Sequence, residues 1–416
     1  MYDLCIIGGG ASGLSCAIQA GRLGLKVLLI DKNNKLGKKL YATGNGKCNL
    51  TNSNISYEKH YYSSSNNSCI FLTKALENAY NPKEPNQQII DFVDSLGINT
   101  FEDNNYIYPS SAQASSVVWA MLDELKHYNV DILSNTEITS IEGKYPFFII
   151  KAENKAYKAS QMVLSCGGAA YKSLGGTYSG YNLAKSMGHN VVSVRPALCG
   201  LCVIEDVTDI AGVRANANIC LLNNNEIICS SKGELQLTKQ GLSGICIFEI
   251  SSWAGKLINQ GITPQVNVSF IDDDTYNQLI DKIKSNNISH RTIIGFLNGY
   301  VNDKLAQYVC SINNVDGKKK AMEISQEVLI SLISSLHGMM FNVSELYDME
   351  QAQVTAGGVN IDEINPITME SKLVNGLYIT GELLDIDGIC GGYNLTFAML
   401  TGIKAGKSIY DKIKSN

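Results

Sequence analysis

The chain has 416 residues, of which 45% are hydrophobic and 18% charged, so its length favours two or three globular domains. Its 34 lysine and arginine residues against 39 aspartate and glutamate residues give a net charge of −5, which argues against nucleic acid as a main partner. The twelve cysteines lie mostly in apolar runs, as buried thiols do, and no run approaches the roughly 18 apolar residues of a membrane span. We therefore expect a cytoplasmic protein with no membrane partner.

The first thirty residues predict a strand, a glycine-rich turn, a helix and a second strand. The turn has the spacing G-x-G-x-x-G, formed by Gly8, Gly10 and Gly13. Such glycines let a pyrophosphate approach the N–H groups at the start of a helix. Asp31 ends the second strand, where a carboxylate accepts hydrogen bonds from ribose hydroxyls and disfavours a 2′-phosphate. The unit predicts FAD or NAD binding, and the alternative is a glycine-rich turn without a ligand.

The segment ATGNGKCNLTN, at residues 42–52, looks at first like a loop for nucleotide triphosphates. Two positions of that pattern fail, because Tyr41 stands where its first glycine belongs and Cys48 stands where serine or threonine belongs. A triphosphate loop is therefore excluded, and the role of this segment depends on the remainder of the chain.

The middle of the chain predicts an insertion into the nucleotide-binding domain. Residues 130–144 and 147–154 read as paired strands, and residues 161–170 as a buried strand that ends in glycines. From about residue 190 short β-rich segments indicate a small antiparallel sheet or barrel, and helical periodicity follows. We predict an α/β FAD-binding domain (1–190 and 353–416), an inserted β-rich domain (191–273 and 338–352) and a helical domain (274–337).

The C-terminal region distinguishes between the two cofactors. Gly381 and Glu382 follow a predicted strand, and Gly391 and Gly392 precede the last helix. An acid at the first place can bind a ribityl hydroxyl, and a helix N-terminus suits the anion that builds on the N1–C2=O edge of a reduced flavin. A nicotinamide needs neither feature. The region therefore favours FAD, with a capped glycine-rich turn as the alternative.

Several motifs together resemble one bacterial family. They are GGGASGL, LGKKLYATGNGKCNLTN, GTYSGYNLAKSMGH, RPALCGL, GLSG and the long final block from VTAGGVNID to LTGIKAG. The family is that of the FAD-dependent oxidoreductases that include aminoacetone oxidases and BaiN-type bile-acid reductases. The resemblance implies a glutathione-reductase-like FAD-binding Rossmann domain with an inserted β-barrel domain and a small helical domain. In the loop at 42–52, Asn45 and Lys47 replace a glycine and an arginine of the family pattern.

The resemblance also implies which residues contact a non-covalently bound FAD. They belong to the first turn, the second strand end, the loop at 39–49, a strand position that meets adenine, and the two glycine-rich segments downstream. The residues are Gly8, Gly10, Ala11, Ser12, Gly13, Asp31, Lys32, Lys39, Thr43, Gly44, Gly46, Cys48, Asn49, Ile138, Cys166, Gly167, Gly168, Gly381, Glu382, Asp387, Gly392, Tyr393, Asn394 and Leu395. Within this set Cys48 is expected to form part of the cofactor wall and not to act as a nucleophile.

Other candidate residues lead to no catalytic assignment. Cys199 and Cys202 have C-x-x-C spacing inside an apolar segment expected to be a strand, where a redox pair is disfavoured, and without a second C-x-x-C no metal site is expected. His337 is expected to be a structural residue at the end of a helix, and a role as a catalytic base is the less favoured alternative. Tyr178 and Tyr393 are candidates for contact with the flavin ring or substrate.

The absence of a second G-x-G-x-x-G argues against a dedicated pyridine-nucleotide domain, so either NAD(P)H is a transient electron donor or the electrons come from the substrate itself or from another protein. We expect hydride transfer between flavin N5 and a small organic substrate. Two reactions stay open: reduction of an activated C=C bond in a steroid-like enone with NAD(P)H, and oxidation of a small amine such as aminoacetone with O2. The excess of acidic over basic residues argues against a flavin-dependent protein that modifies or binds RNA. The oligomeric state is not determined by the sequence.

Overall fold

The computed structural model describes residues 1–77, 84–285, 288 and 290–415. The chain forms two compact units, one from Met1–Arg195 with Val354–Asn416 and one from Pro196–Gln353. The strands are β1 (Tyr2–Ile7), β2 (Val27–Ile30), β3 (Thr51–Asn52), β4 (Tyr61–Tyr62), β5 (Thr100–Asp103), β6 (Tyr106–Pro109), β7 (Asp131–Leu133), β8 (Ile138–Lys144), β9 (Phe147–Ala152), β10 (Ala156–Leu164), β11 (Val191–Ala197), β12 (Leu201–Val203), β13 (Arg214–Asn223), β14 (Glu226–Leu237), β15 (Gly241–Ser243), β16 (Gln265–Ser269), β17 (Met339–Leu346), β18 (Val354–Val359), β19 (Leu377–Ile379) and β20 (Asp387–Gly388).

The helices differ widely in length, from single turns to the long C-terminal helix. They are α1 (Ala11–Arg22), α2 (Tyr57–His60), α3 (Ser68–Leu76), α4 (Pro85–Asp94), α5 (Ala114–His127), α6 (Ser179–Ser186), α7 (Ile245–Asn259), α8 (Asp273–Lys284), α9 (Ile293–Leu297), α10 (Asp303–Ile312), α11 (Gln326–His337) and α12 (Tyr393–Ser415). Within the described part of the chain, no helix is long and apolar enough to cross a bilayer.

The first unit is built on a largely parallel sheet. The strand order is β7-β2-β1-β10, and β10 then pairs with β9 along its first half and with β19 along its second half. The neighbours β7, β2, β1, β10 and β19 are parallel, whereas β8 and β9 form an antiparallel hairpin. All four residues of β2 are buried, as expected for a parallel strand covered on both faces. The predicted single strand at 130–144 is wrong, because it divides into β7, which joins β2, and β8, which pairs with β9.

The two ends of the chain are joined through helices α1 and α12. A Cβ placed on Gly402 would lie 2.2 Å from the carbonyl oxygen of Ser12, and one on Gly406 would lie 2.8 Å from that of Cys16. Since both contacts advance by four residues in the same direction, the two helices run parallel and their N-termini point the same way. This close packing explains how residues from both termini reach one site.

The second unit is a closed barrel with the strand order β12-β15-β14-β13-β16-β17. Its core is continuous with that of helices α8 to α11, with buried residues such as Ile219, Val266, Leu305 and Leu332 in one cluster. Helix α7 packs on β13, β14, β15 and β17, and the sequence did not predict it. The segment from Ile245 to Asn259 contains many β-branched and aromatic residues, which made its periodicity hard to separate from the surrounding strands.

The structure thus contains the predicted Rossmann-type fold and inserted barrel. The division of the second unit into a β-rich part and a helical part, at 274 and 337, stays a prediction.

Candidate cofactor site

The turn between β1 and α1 combines tightly packed glycines with an open one. A Cβ on Gly8 would lie 2.3 Å from the carbonyl oxygen of Ser165, and one on Gly13 would lie 1.8 Å from that of Gly8. Both positions therefore exclude any side chain. A Cβ on Gly10 would meet no atom within 4 Å, so there is open space beside the residue that directly precedes α1, which begins at Ala11. This is the cradle that a pyrophosphate requires.

Ser12 is turned away from that cradle. Its hydroxyl is buried and donates to Oγ1 of Thr380 at 2.7 Å, at the end of β19. The following residue, Gly381, donates its N–H to Oγ1 of Thr401 at 3.1 Å. Through these bonds Ser12 and Gly381 hold the first and last elements of the unit together, and the side chain of Ser12 is committed to this structural contact.

Asp31 is held in place by the first turn. Its Oδ2 accepts from the N–H of Gly9 at 2.6 Å, and its Oδ1 accepts from the N–H of Asn33 at 2.7 Å. The side chain faces a cavity that is also lined by four more of the sequence-predicted residues, namely Gly8, Lys32, Ile138 and Cys166. Residues from β2, β8 and the end of β10 therefore meet around one pocket beside the glycine-rich turn, as adenosine binding requires.

The loop at 39–49 forms an exposed backbone ridge. A short 3₁₀ segment, Leu40–Gly46, is interrupted at Thr43, and Gly44 and Asn45 both have positive φ. The hydroxyl of Thr43 donates to the carbonyl of Leu40 at 2.7 Å. A Cβ on Gly46 would meet no atom within 4 Å. The loop thus exposes its backbone over Gly44 and Gly46, whereas the side chain of Thr43 serves the turn.

Cys48 and Asn49 close the same loop. Cys48 is fully buried, and burial raises the pKa of its thiol to about 11, so it stays protonated at neutral pH. The side-chain amide of Asn49 donates to the carbonyl of Thr51 at 2.9 Å. Its oxygen accepts from the N–H of Gly392 at 3.3 Å. Cys48 is therefore part of the wall of the fold, and Asn49 links the loop to the start of α12.

A partly buried ion pair connects the loop to the C-terminal region. The ammonium of Lys39 lies 3.0 Å from Oε2 of Glu382, and Oε1 of Glu382 accepts from the N–H of Thr355 at 3.0 Å. Glu382 also lies against the turn after β10, because a Cβ on Gly168 would lie 2.6 Å from its Oε1, while Gly167 has a positive φ of 71°. Burial raises the pKa of the adjacent Cys166 thiol to about 12. Three sequence-predicted segments therefore meet at Glu382, together with Thr355 of β18.

At the start of α12 the side chains serve the fold. The hydroxyl of Tyr393 donates to the carbonyl of Asn54 at 3.0 Å, and Asn394 exchanges two hydrogen bonds of 2.8 Å with the backbone of Gly388. Asp387 is buried in β20, which pairs with β4. The first N–H groups of a helix have no partner within the helix, and that of Gly392 faces the oxygen of Asn49, so the N–H groups from Tyr393 to Leu395 are the polar groups that this end offers a ligand.

The N-termini of α1 and α12 are separated along their common direction. Gly402 packs against Ser12, so the two residues lie at the same height along the helix pair. Gly402 is nine residues after the start of α12, and Ser12 is one residue after the start of α1. The difference of eight residues corresponds to about 12 Å at the rise of an α-helix. Two positive helix ends at this spacing suit a ligand with anionic or electron-rich groups at two separate places, as FAD has.

The surroundings of the remaining candidates assign them no catalytic role. Cys199 precedes β12 and does not lie in a strand, contrary to expectation, and both Cys199 and Cys202 are free thiols with pKa raised by burial. His337 ends α11, as predicted, and its Nε2 lies 2.7 Å from Oδ1 of Asp273. The side chain of Tyr178 is 51% exposed. Among the described residues no group of three His, Cys, Asp or Glu side chains is placed to hold a metal ion.

Thr355, Thr380 and Asp385 support the site and were not predicted. Thr355 binds Glu382 through its N–H and accepts from the N–H of Ala170 through its hydroxyl at 2.9 Å. Single threonines in apolar strands carry no spacing signal, so only the segment VTAGGVNID pointed to this region.

The parallel sheet, the open glycine turn, the acid after β2 and the second helix end define a dinucleotide-binding protein of the Rossmann type. The model of the HI0933-like protein Rossmann domain matches residues 2–408, and the chain belongs to that family. It is 34% identical to a 3-dehydro-bile acid delta(4,6)-reductase of Clostridium scindens, over 99% of this chain and 100% of that protein. It is 28% identical to a ribosomal RNA dihydrouridine synthase of Escherichia coli, over 95% of each.

Among solved structures, a 3-ketosteroid delta1-dehydrogenase of Sterolibacterium denitrificans superposes with a TM-score of 0.50 at 12% identity, over 99% of both chains, and it supports the fold alone. The family resemblance and the fold class predicted from the sequence are confirmed. The chain is an FAD-dependent oxidoreductase.

Proposed function

We propose that this enzyme reduces a C=C bond conjugated with a carbonyl group in a small organic molecule of steroid-like or bile-acid-like shape. The observation that carries the proposal is the 34% identity, over essentially the whole of both chains, to a reductase named for the 4,6 double bonds of 3-dehydro-bile acids. In such a substrate the carbonyl withdraws electrons from the double bond, so its β-carbon accepts hydride.

The more distant relatives support the same reaction class. Dihydrouridine is uridine in which a C=C bond conjugated with a carbonyl has been saturated. The names of the bile acid reductase and the ribosomal RNA dihydrouridine synthase therefore point to the same kind of electrophile, a C=C bond conjugated with a carbonyl. Their substrates differ in size and charge. The net charge of −5 and the higher identity to the bile-acid reductase favour a small molecule over RNA for this chain. These relatives favour reduction over the oxidation of an amine.

We further propose how the described residues hold FAD. The open backbone at Gly10 suits the pyrophosphate, Asp31 suits a ribose, and the pocket at Ile138 suits adenine. Glu382 suits a ribityl hydroxyl, and the start of α12 suits the N1–C2=O edge. When bound and reduced, FAD supplies a hydride from N5. NADH or NADPH is proposed as the transient donor, since the sequence contains a single dinucleotide fingerprint.

The test uses the purified holoenzyme under nitrogen. We expect NADH or NADPH to bleach the flavin absorption, and a 3-oxo-Δ4 steroid to restore it with formation of the saturated ketone. A reduced enzyme that is reoxidised by uridine-containing ribosomal RNA and by no small enone would replace this proposal with RNA modification. Hydrogen peroxide formed from aminoacetone in air, without enone reduction, would replace it with amine oxidation.

A further inference from the structure

One arginine in the first unit has an unsatisfied donor. Arg195 lies in β11 and is partly buried, and its Nε is shielded from solvent without a hydrogen-bond partner among the described residues. A guanidinium N–H that is shielded from solvent normally forms a hydrogen bond, because leaving it unpaired costs free energy. The unpaired Nε therefore makes Arg195 a candidate for contact with an anionic group of a ligand.

The position of Arg195 connects it with the candidate cofactor site. Strand β11 pairs with β18, the N–H of Asn360 donates to the carbonyl of Asn190, and Gly357 lies against Ser193. Counting back along these antiparallel strands places Arg195 level with Thr355. Thr355 is the residue whose N–H binds the carboxylate of Glu382.

A second charged residue, Asp385, lies within electrostatic range of Arg195. Asp385 is 2% exposed, and its Oδ2 accepts from the N–H of Ser64 at 3.0 Å and the hydroxyl of Ser63 at 3.2 Å. Burial raises the pKa of Asp385, while these hydrogen bonds and the charge of Arg195 oppose the rise. The two side chains are therefore close enough for their charges to interact. Asp385 lies in the chain between Glu382 and the start of α12, so the charge of Arg195 acts on the segment that joins these two parts of the site.

The chemistry of the proposed reaction supplies the missing anion. When a hydride adds to the β-carbon of an enone, the C=C π pair shifts towards the α-carbon and the carbonyl π pair moves onto oxygen, giving an enolate. A proton from water then adds to the α-carbon to give the saturated ketone. A fixed cation at the oxygen stabilises the enolate more than the neutral carbonyl, and so lowers the barrier. Guanidinium suits this role, because it stays charged and presents several donors in one plane.

We propose that the guanidinium of Arg195 binds the carbonyl oxygen of the substrate and stabilises the enolate that forms there. The inference rests on the proposed function. It gives Arg195 a catalytic role through direct contact with substrate, and it gives Asp385 a positioning role, through its charge, in keeping the guanidinium beside the Glu382–Asp385 segment.

The test compares Arg195→Gln and Arg195→Lys with the wild-type holoenzyme. The probe is equilenin, a steroid phenol whose phenolate has its own absorption band and resembles an enolate. The wild type should bind the phenolate form in preference, Arg195→Gln should weaken that binding by about 10- to 100-fold, and Arg195→Lys should restore part of it. Reoxidation of the reduced enzyme by a 3-oxo-Δ4 steroid should be fastest in the wild type, slower in Arg195→Lys and slowest in Arg195→Gln. Flavin bleaching by NAD(P)H should not change.

Two controls separate this role from a structural one. Arg291→Gln removes one exposed arginine and should leave phenolate binding unaltered. If Arg195 served only to neutralise Asp385, the double variant Arg195→Gln/Asp385→Asn would recover wild-type binding and rate, which would overturn the inference. A wild type that shows no preference for the phenolate would also overturn it, as would Arg195→Gln reducing enones at the wild-type rate.

Failure of the proposed function gives a different result. A wild type that binds the phenolate through Arg195 and reduces no enone would remove the proposed reaction and leave the anion site in place.

Discussion

Lys39 and Glu382 are 343 positions apart in the chain, and their side chains form an ion pair with Nζ 3.0 Å from Oε2. The pair joins the exposed loop at 39–49 to the segment after β19, and Glu382 is fixed further by the N–H of Thr355. Since each partner belongs to a segment expected to contact FAD, the pair sets the distance between the two halves of the site.

We expect Glu382→Gln and Lys39→Met each to weaken FAD binding by about tenfold or more, because each change leaves the other partner without its opposite charge. The double variant should bind FAD about as weakly as either single variant, since the two residues act as a unit. Titration of the FAD-depleted proteins, followed by flavin fluorescence, measures the dissociation constants. Lys35→Met removes an exposed lysine of the same region and serves as the control. Additive losses in the double variant would contradict the coupling.

Two glycines of the first turn should respond differently to substitution: a change at Gly13 should lower stability, and a change at Gly10 should weaken FAD binding. Gly13→Ala places a methyl group 1.8 Å from the carbonyl oxygen of Gly8, so it should destabilise the protein by about 1–3 kcal/mol or more even without FAD. Gly10→Ala meets no protein atom within 4 Å and needs no change of backbone, because φ is −82°. It should keep the melting temperature of the FAD-depleted protein and weaken FAD binding by about tenfold or more.

Thermal unfolding and FAD titration of both variants provide the measurement. If Gly10→Ala bound FAD with unchanged affinity, the cofactor would not lie against this turn.

Sequence patterns predicted the local part of this site. The β1-α1-β2 unit follows from glycine spacing and from apolar runs that end at Asp31, and the start of α12 follows from the glycine pair before it. Both signals arise within about thirty residues and depend on backbone geometry, which the sequence determines locally.

The pairing of distant segments was beyond such reasoning. Neither Lys39 nor Glu382 has a spacing that points to the other, and Thr355 is an ordinary strand threonine until β18 brings it to Glu382. Helix α7 was missed because ICIFEISSWAGKLIN is rich in residues that favour strands, and its packing on the barrel decided its conformation. Tertiary contacts thus determined what local patterns could not.

Cys48 gives a prediction about reactivity. An ordinary cysteine is about half ionised at pH 8.5, whereas a thiol with a pKa of about 11 is ionised to less than about 1%. Cys48 is also fully buried. We therefore expect iodoacetamide at pH 8.5 to leave Cys48 unmodified in the native protein and to label it after unfolding in urea. Cys69, partly exposed on α3, provides the internal comparison. Peptide mass spectrometry measures both sites, and rapid labelling of native Cys48 would show that the loop opens.

Lys404 connects α12 with the end of α3 and gives a prediction about stability. Its ammonium donates to the carbonyls of Lys74 at 2.5 Å and Glu77 at 3.0 Å. Burial lowers its pKa from 10.5 to about 8, and the charge of Glu77 opposes this only in part. Between pH 8 and 10.5 the unfolded chain therefore binds more protons at this lysine than the folded chain does. The contribution of Lys404 to the free energy of unfolding should rise with pH across this window, by up to about 3 kcal/mol.

The measurement is the free energy of unfolding of the wild type minus that of Lys404→Met, taken in urea at several pH values. Subtraction removes the titration of the other groups, which both proteins share. We expect the difference to shift in favour of the wild type from pH 8 to 10.5 and to be constant below pH 7. Lys407→Met, on the same helix and exposed, controls for the loss of one lysine. A flat difference for Lys404→Met would mean that its ammonium is solvated in the folded protein, and that the contact between α12 and α3 opens in solution.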